Sequence, residues 1–252
     1  MSWNLTIRGW NAVPFRAVVA VTLGAAAILE TLTVGAHAAP NPRLRLWERA
    51  EACVEQAKHK AIKYPCVRVS QSEEYAIVHD TEVGKLGVYM LLATIRVTGI
   101  EDSLVLDKPV REFFSFGWDA LVGEIKRHPS ELAMAINNKS VRTQDQFHIH
   151  LGCVTADVRA GLDKLQLTST WQANALKVKG RTFDVIEVDS LAHSPFLVLK
   201  AYLDSLIPKQ QIGDYSMAVI GQANGKFVVL ATTSAAELVM EEGTACHKPT
   251  RH

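Results

Sequence analysis

The segment Gln146 to Val154, reading QFHIHLGCV, alternates apolar and other residues along its length. In an extended strand successive side chains point to opposite faces. Phe147, Ile149 and Leu151 therefore share one face, while His148, His150 and Gly152 share the other. The apolar face must lie on a core. The strand then presents two imidazoles from its other side, with Cβ atoms about 7 Å apart.

The surrounding chain supplies strands and helices for such a core. Residues 44–61 have helical spacing at Leu46, Ala50, Cys53, Val54 and Ala57, and Tyr64-Pro65 ends the run. Strands are expected at 75–79 and 88–98, with the glycine-containing stretch 81–87 turning between them as a hairpin. A helix is expected over 112–127, a strand over 132–136, a polar loop over 137–143 and a helix over 157–165. Further strands are expected at 183–188, 215–221 and 226–232, the last two joined through Asn224-Gly225. A helix over 194–206 carries Pro195 in its first turn. These elements predict an α+β fold, mainly an antiparallel sheet with packed helices.

The 252 residues suffice for one large domain or two small ones. The formal net charge is +1, and no basic stripe breaks it, which argues against nucleic acid as a partner. A charged ligand must then be met by a few placed side chains. At the N-terminus, Arg8 and Arg16 flank the start of an uncharged apolar run from Ala17 to Leu29. That run is shorter than the roughly 20 residues needed to span a bilayer. It fits a secretory signal, with Ala36-His37-Ala38 as a small-x-small cleavage site. Left uncleaved and extended by its apolar flanks, it becomes a tilted anchor. Both readings divide the chain into a leader at 1–39 and a domain at 40–252, and both deliver that domain across a membrane.

Four cysteines, Cys53, Cys66, Cys153 and Cys246, follow the leader. An even number in an oxidising compartment suggests disulfides, and four permit three pairings. Cys53 and Cys66 are close in sequence and easily joined, which leaves Cys153 for Cys246. No CxxC or paired CxxH spacing suggests a structural metal.

The histidine pair admits three uses: a structural role, a metal site, or nucleophilic catalysis. His-x-His is a common ligand pair, but the sequence indicates no third ligand beyond His79 or Asp80. A neutral imidazole can attack phosphorus when its other nitrogen is held by a backbone carbonyl. Spacing alone does not separate metal from nucleophile. Neither a GxSxG element nor a phosphate-binding P-loop is present.

The pattern Gln144-x-x-x-His148-x-His150 resembles the histidine-triad superfamily of nucleotidyl hydrolases and transferases. The wider run, from Ala135-Ile136-Asn137 through Arg142-Thr143-Gln144 and FHIHLGC to Asp157-Val158-Arg159, resembles one branch, the bacterial CDP-diacylglycerol pyrophosphatases. The resemblance continues through Ser194-Pro195-Phe196, Gly213-Asp214-Tyr215 and 227–232, and takes in the four cysteines and the leader.

It implies a histidine-triad-like fold and hydrolysis of CDP-diacylglycerol to CMP and phosphatidate, in phospholipid metabolism, by a catalytic domain at 40–252 held in the periplasm at the cell inner membrane, single-pass or signal-cleaved. It gives His150 the nucleophile's place and His148 a supporting contact to phosphate. Gln144 falls near the bridging oxygen and Asn137 on the phosphate. Asp80, beside His79, falls where an acid holds the ribose. Arg96 stands where relatives carry another histidine, and suits a diphosphate. Lys139, Arg142 and Arg159 are further cations near the strand. Tyr89, Trp118 and Tyr215 are candidates to stack on the base. No cofactor or metal is implied, and a homodimer is a further expectation because superfamily members often dimerise.

One departure stands out: Gly152 occupies the third histidine's position. A phosphatidate leaving group has a low pKa and needs little acid assistance, so this loss suits that substrate. The alternatives are the same fold acting on soluble nucleotides or as a transferase, and a non-catalytic nucleotide- or metal-binding module.

Overall fold

A computed structural model of the chain describes residues 41–81, 88–241 and 246. Nine strands form one sheet: β1 (Cys66–Ser70), β2 (Tyr75–His79), β3 (Tyr89–Ala93), β4 (Leu132–Ile136), β5 (His148–Cys153), β6 (Gln172–Val178), β7 (Arg181–Val188), β8 (Ser216–Gly221) and β9 (Phe227–Thr232). Their spatial order is β1-β2-β3-β5-β4-β8-β9-β7-β6, and each neighbouring pair is antiparallel. The described α-helices are α1 (Arg45–Lys58), α2 (Phe113–Glu124), α3 (Ala156–Leu162) and α4 (Pro195–Ser205).

This corrects the expected α+β, histidine-triad-like class. The molecule is mostly one broad antiparallel sheet with few helices laid on it. The difference comes from its edges. β1 and β6 were not expected as strands, yet they extend the sheet on either side. Both carry register irregularities, and β6 includes Asn174 at a positive φ of 54°. Half-exposed edge strands interrupted in this way show little period-two patterning. The tight turn from β6 to β7 runs through Lys179 and Gly180, both at positive φ, as a two-residue hairpin turn requires.

The sheet buries both faces. On one lie Ile77, Leu91, Met134, Ile149, Leu151 and Val219, covered by Phe113 and Phe114 at the start of α2 and by Phe196 of α4. The opposite face carries two separate apolar clusters. Ala76, Val78, Met90 and Leu92 pack under Leu46, Ala50 and Cys53 of α1. Ala133, Ala135, Ala218, Ile220 and Leu230 pack with Val158 and Leu162 of α3. Strand β5 runs between these clusters, because β3 lies on one side of it and β4 on the other. On the face where β5 presents His148 and His150, Met240 and Val88 cover the Gly152 end.

Cys53 is bonded to Cys66, tying α1 to β1, and Cys153 is bonded to Cys246. Among the described residues, no helix is long and apolar enough to cross a membrane. The longest, α1, has 14 residues, which span about 21 Å against a hydrocarbon core of about 30 Å. The single-pass inner-membrane expectation is corrected accordingly. The leader at 1–39, on which it rested, lies outside the described residues, as does most of the 81–87 turn.

The Cys153–Cys246 bond closes a far longer loop than Cys53–Cys66, at sequence separations of 93 and 13. Loop-closure entropy makes the long link worth about 4.6 kcal/mol and the short one about 3 kcal/mol. Urea unfolding of the C153A/C246A and C53A/C66A double variants should show losses of that size and in that order.

Candidate active site

The antiparallel register decides what surrounds the imidazoles. His150 lies opposite Met90 on β3 and Ala135 on β4, and His148 lies opposite Leu92. The small Ala135 leaves space beside His150. A cleft of about 450 Å³ opens over this part of the sheet. Its walls include Asp80, Asn137, Arg142, Gln144, His148 and His150, six of the residues expected from the sequence. Arg45, Arg49 and Glu237 also line it, and the sequence reading missed all three.

His148 is fully enclosed by protein, with its Nδ1 2.7 Å from the backbone carbonyl of Gln146. A carbonyl only accepts, so Nδ1 carries the hydrogen and Nε2 carries the lone pair. Burial, followed by the neighbouring His150, pushes the pKa of His148 down to about 4. The ring is neutral at any ordinary working pH. His150 packs edge-on against it, with ring centroids 5.0 Å apart. His150 Nε2 lies 3.3 Å from Glu237 Oε2.

Asn137 follows β4 and is held by one contact that fixes its amide. Its Oδ1 accepts a hydrogen bond from Ala236 N at 2.9 Å, which leaves the NH₂ end to donate. Gln144 is used differently. Its Nε2 donates to Pro42 O at 3.0 Å, and its Oε1 accepts from Leu46 N at 3.4 Å. The side chain thus fastens the start of α1 to the rim of the cleft.

Arg142 is nearly buried. Its Nη1 donates to Glu101 at 2.6 Å, its Nη2 lies 3.5 Å from Asp145, and its Nε has no hydrogen-bond partner among the described residues. Two carboxylates thus offset much of its charge. Arg45 and Arg49 are spaced i, i+4 and reach the cleft from α1, whose N-terminal end carries a partial positive charge of its own. Their signal was present in the sequence: two arginines four apart beside the helix's apolar stripe. Glu237 offered no comparable signal, because only tertiary structure brings it to β5.

Several expected residues lie elsewhere. Arg96 stacks over the Trp47 ring at 4.4 Å and pairs with Glu51, in an exposed position. Lys139 pairs with Asp214 at 2.8 Å and is also exposed. Arg159 binds Asp163, Gln222 and backbone carbonyls. Tyr89, Trp118 and Tyr215 belong to the core on the other face. At Gly152, an added Cβ would stand 3.0 Å from Met240 Cε and 3.5 Å from Val88 Cγ1. A third histidine would have to displace Met240.

Among the described residues, the acidic, histidine and cysteine side chains with mutual spacing for a metal are Cys153, Glu241 and Cys246. Their two sulfurs are joined as a disulfide, which removes the thiolates a metal would need.

The low pKa of His148 has a consequence for stability. Its folded-state pKa lies below the usual 6.5, so the unfolded chain binds the extra proton first as pH falls. Stability is retained above about pH 6.5 and is lost between there and about pH 4. The full loss from this one group is of the order of 3 kcal/mol. Urea titrations at pH 7 and pH 4.5 should show a smaller difference for H148Q than for the wild type.

Residues 41–246 match the family model described as CDP-diacylglycerol pyrophosphatase. A solved structure of a DUF4931 family protein from Bacillus cereus ATCC 10987 is similar to this chain, with 10% identity and a TM-score of 0.42. That match covers 65% of this chain and 83% of the other. The family match takes in the whole cleft and both disulfides. The chain belongs to the CDP-diacylglycerol pyrophosphatase family, and is an enzyme that hydrolyses CDP-diacylglycerol.

Proposed function

We propose that the reaction runs through a nucleotidyl-histidine intermediate, in the manner of the histidine-triad superfamily, and serves phospholipid turnover. An imidazole of the His148–His150 pair attacks the cytidylyl phosphorus, and phosphatidate departs. Water then releases CMP. The motif spacing gives the attack to His150. In this scheme Asn137 and the cations of the cleft hold the phosphate oxygens, and Asp80, which lines the same cleft, takes the ribose.

One observation carries this reading: two adjacent, enclosed imidazoles share a cleft with the donor end of Asn137 and with Arg45 and Arg49. Nucleophile, oxyanion donors and fixed positive charge then converge on one space. The site residues outside the cleft, Arg96 and Lys139, have no part in this scheme. Gln144 supports it through the start of α1.

The substrate assay uses purified protein and CDP-diacylglycerol in mixed micelles, with CMP and phosphatidate as products. CDP-choline and dinucleoside polyphosphates serve as competitors. Faster turnover of either soluble compound would sink the lipid assignment. The H148A/H150A double variant should lose CMP release by at least 10²-fold. Metal chelators should leave the wild-type rate unchanged.

Arg45 and Arg49 should act mainly on binding. A charge-assisted hydrogen bond is worth about 1.5–3 kcal/mol, so R45A and R49A should each raise KM by roughly tenfold or more. A change confined to kcat would refute a ground-state diphosphate contact.

A further inference from the structure

The two ends of the cleft differ in chemistry, and the register of the sheet distinguishes them. His150 lies opposite Met90, and Met90 lies opposite Val78. Asp80 stands two residues past Val78, and its N donates to Val88 O. Val88 in turn lies against Gly152, so Asp80 falls at the Gly152 end of β5. Glu237 approaches His150. Both carboxylates that line the cleft thus stand at His150 or beyond it, away from His148.

The His148 end is built differently. The loop from β4 to β5 closes it, and Val141, Thr143 and Gln144 of that loop line the cleft. Gln144 holds the backbone of Pro42 and of Leu46, which fixes Leu44, between them, at the same rim. Asp145 completes the clasp: its carboxylate grips Arg43 at 2.6 Å, and its carbonyl accepts from Trp47 Nε1 at 3.0 Å. Leu44 and Val141 are each 38% exposed, whereas Leu46 and Met90, which line the cleft further in, are buried. Helix α1 then runs along the cleft. Arg45 at this rim bonds the Pro42 carbonyl, and Arg49, one turn on, donates to Thr81 beside Asp80.

Resting on the reading of this cleft as the site of hydrolysis, we propose that the substrate lies along it in one sense. Its nucleoside end points to Asp80, and its acylated glycerol lies at the rim formed by Leu44 and Val141. Exposed aliphatic side chains at the mouth of a polar cleft gain when ester carbons and the first methylenes of acyl chains cover them. The reverse placement would set those chains against the carboxylate end, where desolvating a charge is costly. A ribose instead offers hydroxyl donors to a carboxylate. The histidines fall in the same order. His150 is nearer the nucleoside end, where the cytidylyl phosphorus sits, and His148 is about 7 Å nearer the rim from which phosphatidate departs. A cleft of about 450 Å³ suits a headgroup of drug-like size, so the chains continue outside it, past Leu44 and Val141. Arg45, next to Leu44, sets a cation beside the aliphatic rim, a combination that suits an anionic lipid surface.

The experiment compares lipid with headgroup. In mixed micelles, L44S/V141S should raise KM for CDP-diacylglycerol by roughly tenfold, with kcat within about twofold of wild type. The Ki of CDP-glycerol, which keeps the cytidine and the diphosphate but has no acyl chains, should be the same in both proteins. L44M/V141I keeps the rim apolar and should retain the wild-type KM. An unchanged lipid KM in L44S/V141S would overturn the proposal. So would a CDP-glycerol Ki that rises in parallel, because the rim would then be holding only the shape of the cleft, or a lipid KM raised as much in L44M/V141I. The H148A/H150A variant reports separately, through CMP release, on the cleft as the reaction site. Continued release there would remove that reading, whereas a rim result alone overturns only the orientation.

Discussion

The hydrogen bond from His148 Nδ1 to the Gln146 carbonyl fixes more than one ring. A fully enclosed imidazole has to remain neutral, because nothing in its surroundings outweighs the cost of desolvating a cation. Neutrality alone leaves two tautomers open. The carbonyl chooses between them, and thereby settles which nitrogen keeps its lone pair. The bond joins residues two apart on a single extended strand, so it forms with the strand itself. The strand's place between β3 and β4 then does the rest. It sets the ring beside an aliphatic neighbour and under a cleft lined by arginines.

Much of this arrangement was legible in the sequence. The alternation at 146–154 correctly gave the face of each β5 side chain, and the pairings β2–β3 and β8–β9 followed from their turns. The four α-helices were expected within a few residues of their ends, because apolar periodicity and proline punctuation are local signals. What failed was not local. β1 and β6 are strands because the sheet edge offers them partners, and their own residues alternate poorly. The 88–98 run reads as one long strand, but β3 ends at Ala93, and Val97 instead accepts a hydrogen bond from Phe147 N.

The same distinction separates the cleft-lining residues that the sequence reading named from those it did not. Asn137, Gln144, His148 and His150 belong to a short stretch of chain whose geometry one strand and one loop impose. Glu237 comes from the far end of the chain, and no spacing rule connects it to β5. It arrives through tertiary ties: the Asn137 amide, the Val154–Met240 bridge, the bond from Glu241 N to Cys153 O, and the Cys153–Cys246 disulfide. Arg96 illustrates the converse case. A cation placed correctly in sequence can still find a better partner, here the face of Trp47 and the carboxylate of Glu51.

Gly152 connects these points. Read as sequence, it is a missing third histidine. In the fold, the space over it is filled by Met240, which belongs to the same returning segment that carries Glu237. That segment closes the far end of the histidine face with a thioether and places a carboxylate on His150. In the proposed reaction no third imidazole is then required. The leaving phosphate monoester needs little acid assistance, and the neighbouring imidazole, His150, faces Glu237. A leaving amine would demand a stronger acid at that point, and the returning segment supplies none among the described residues.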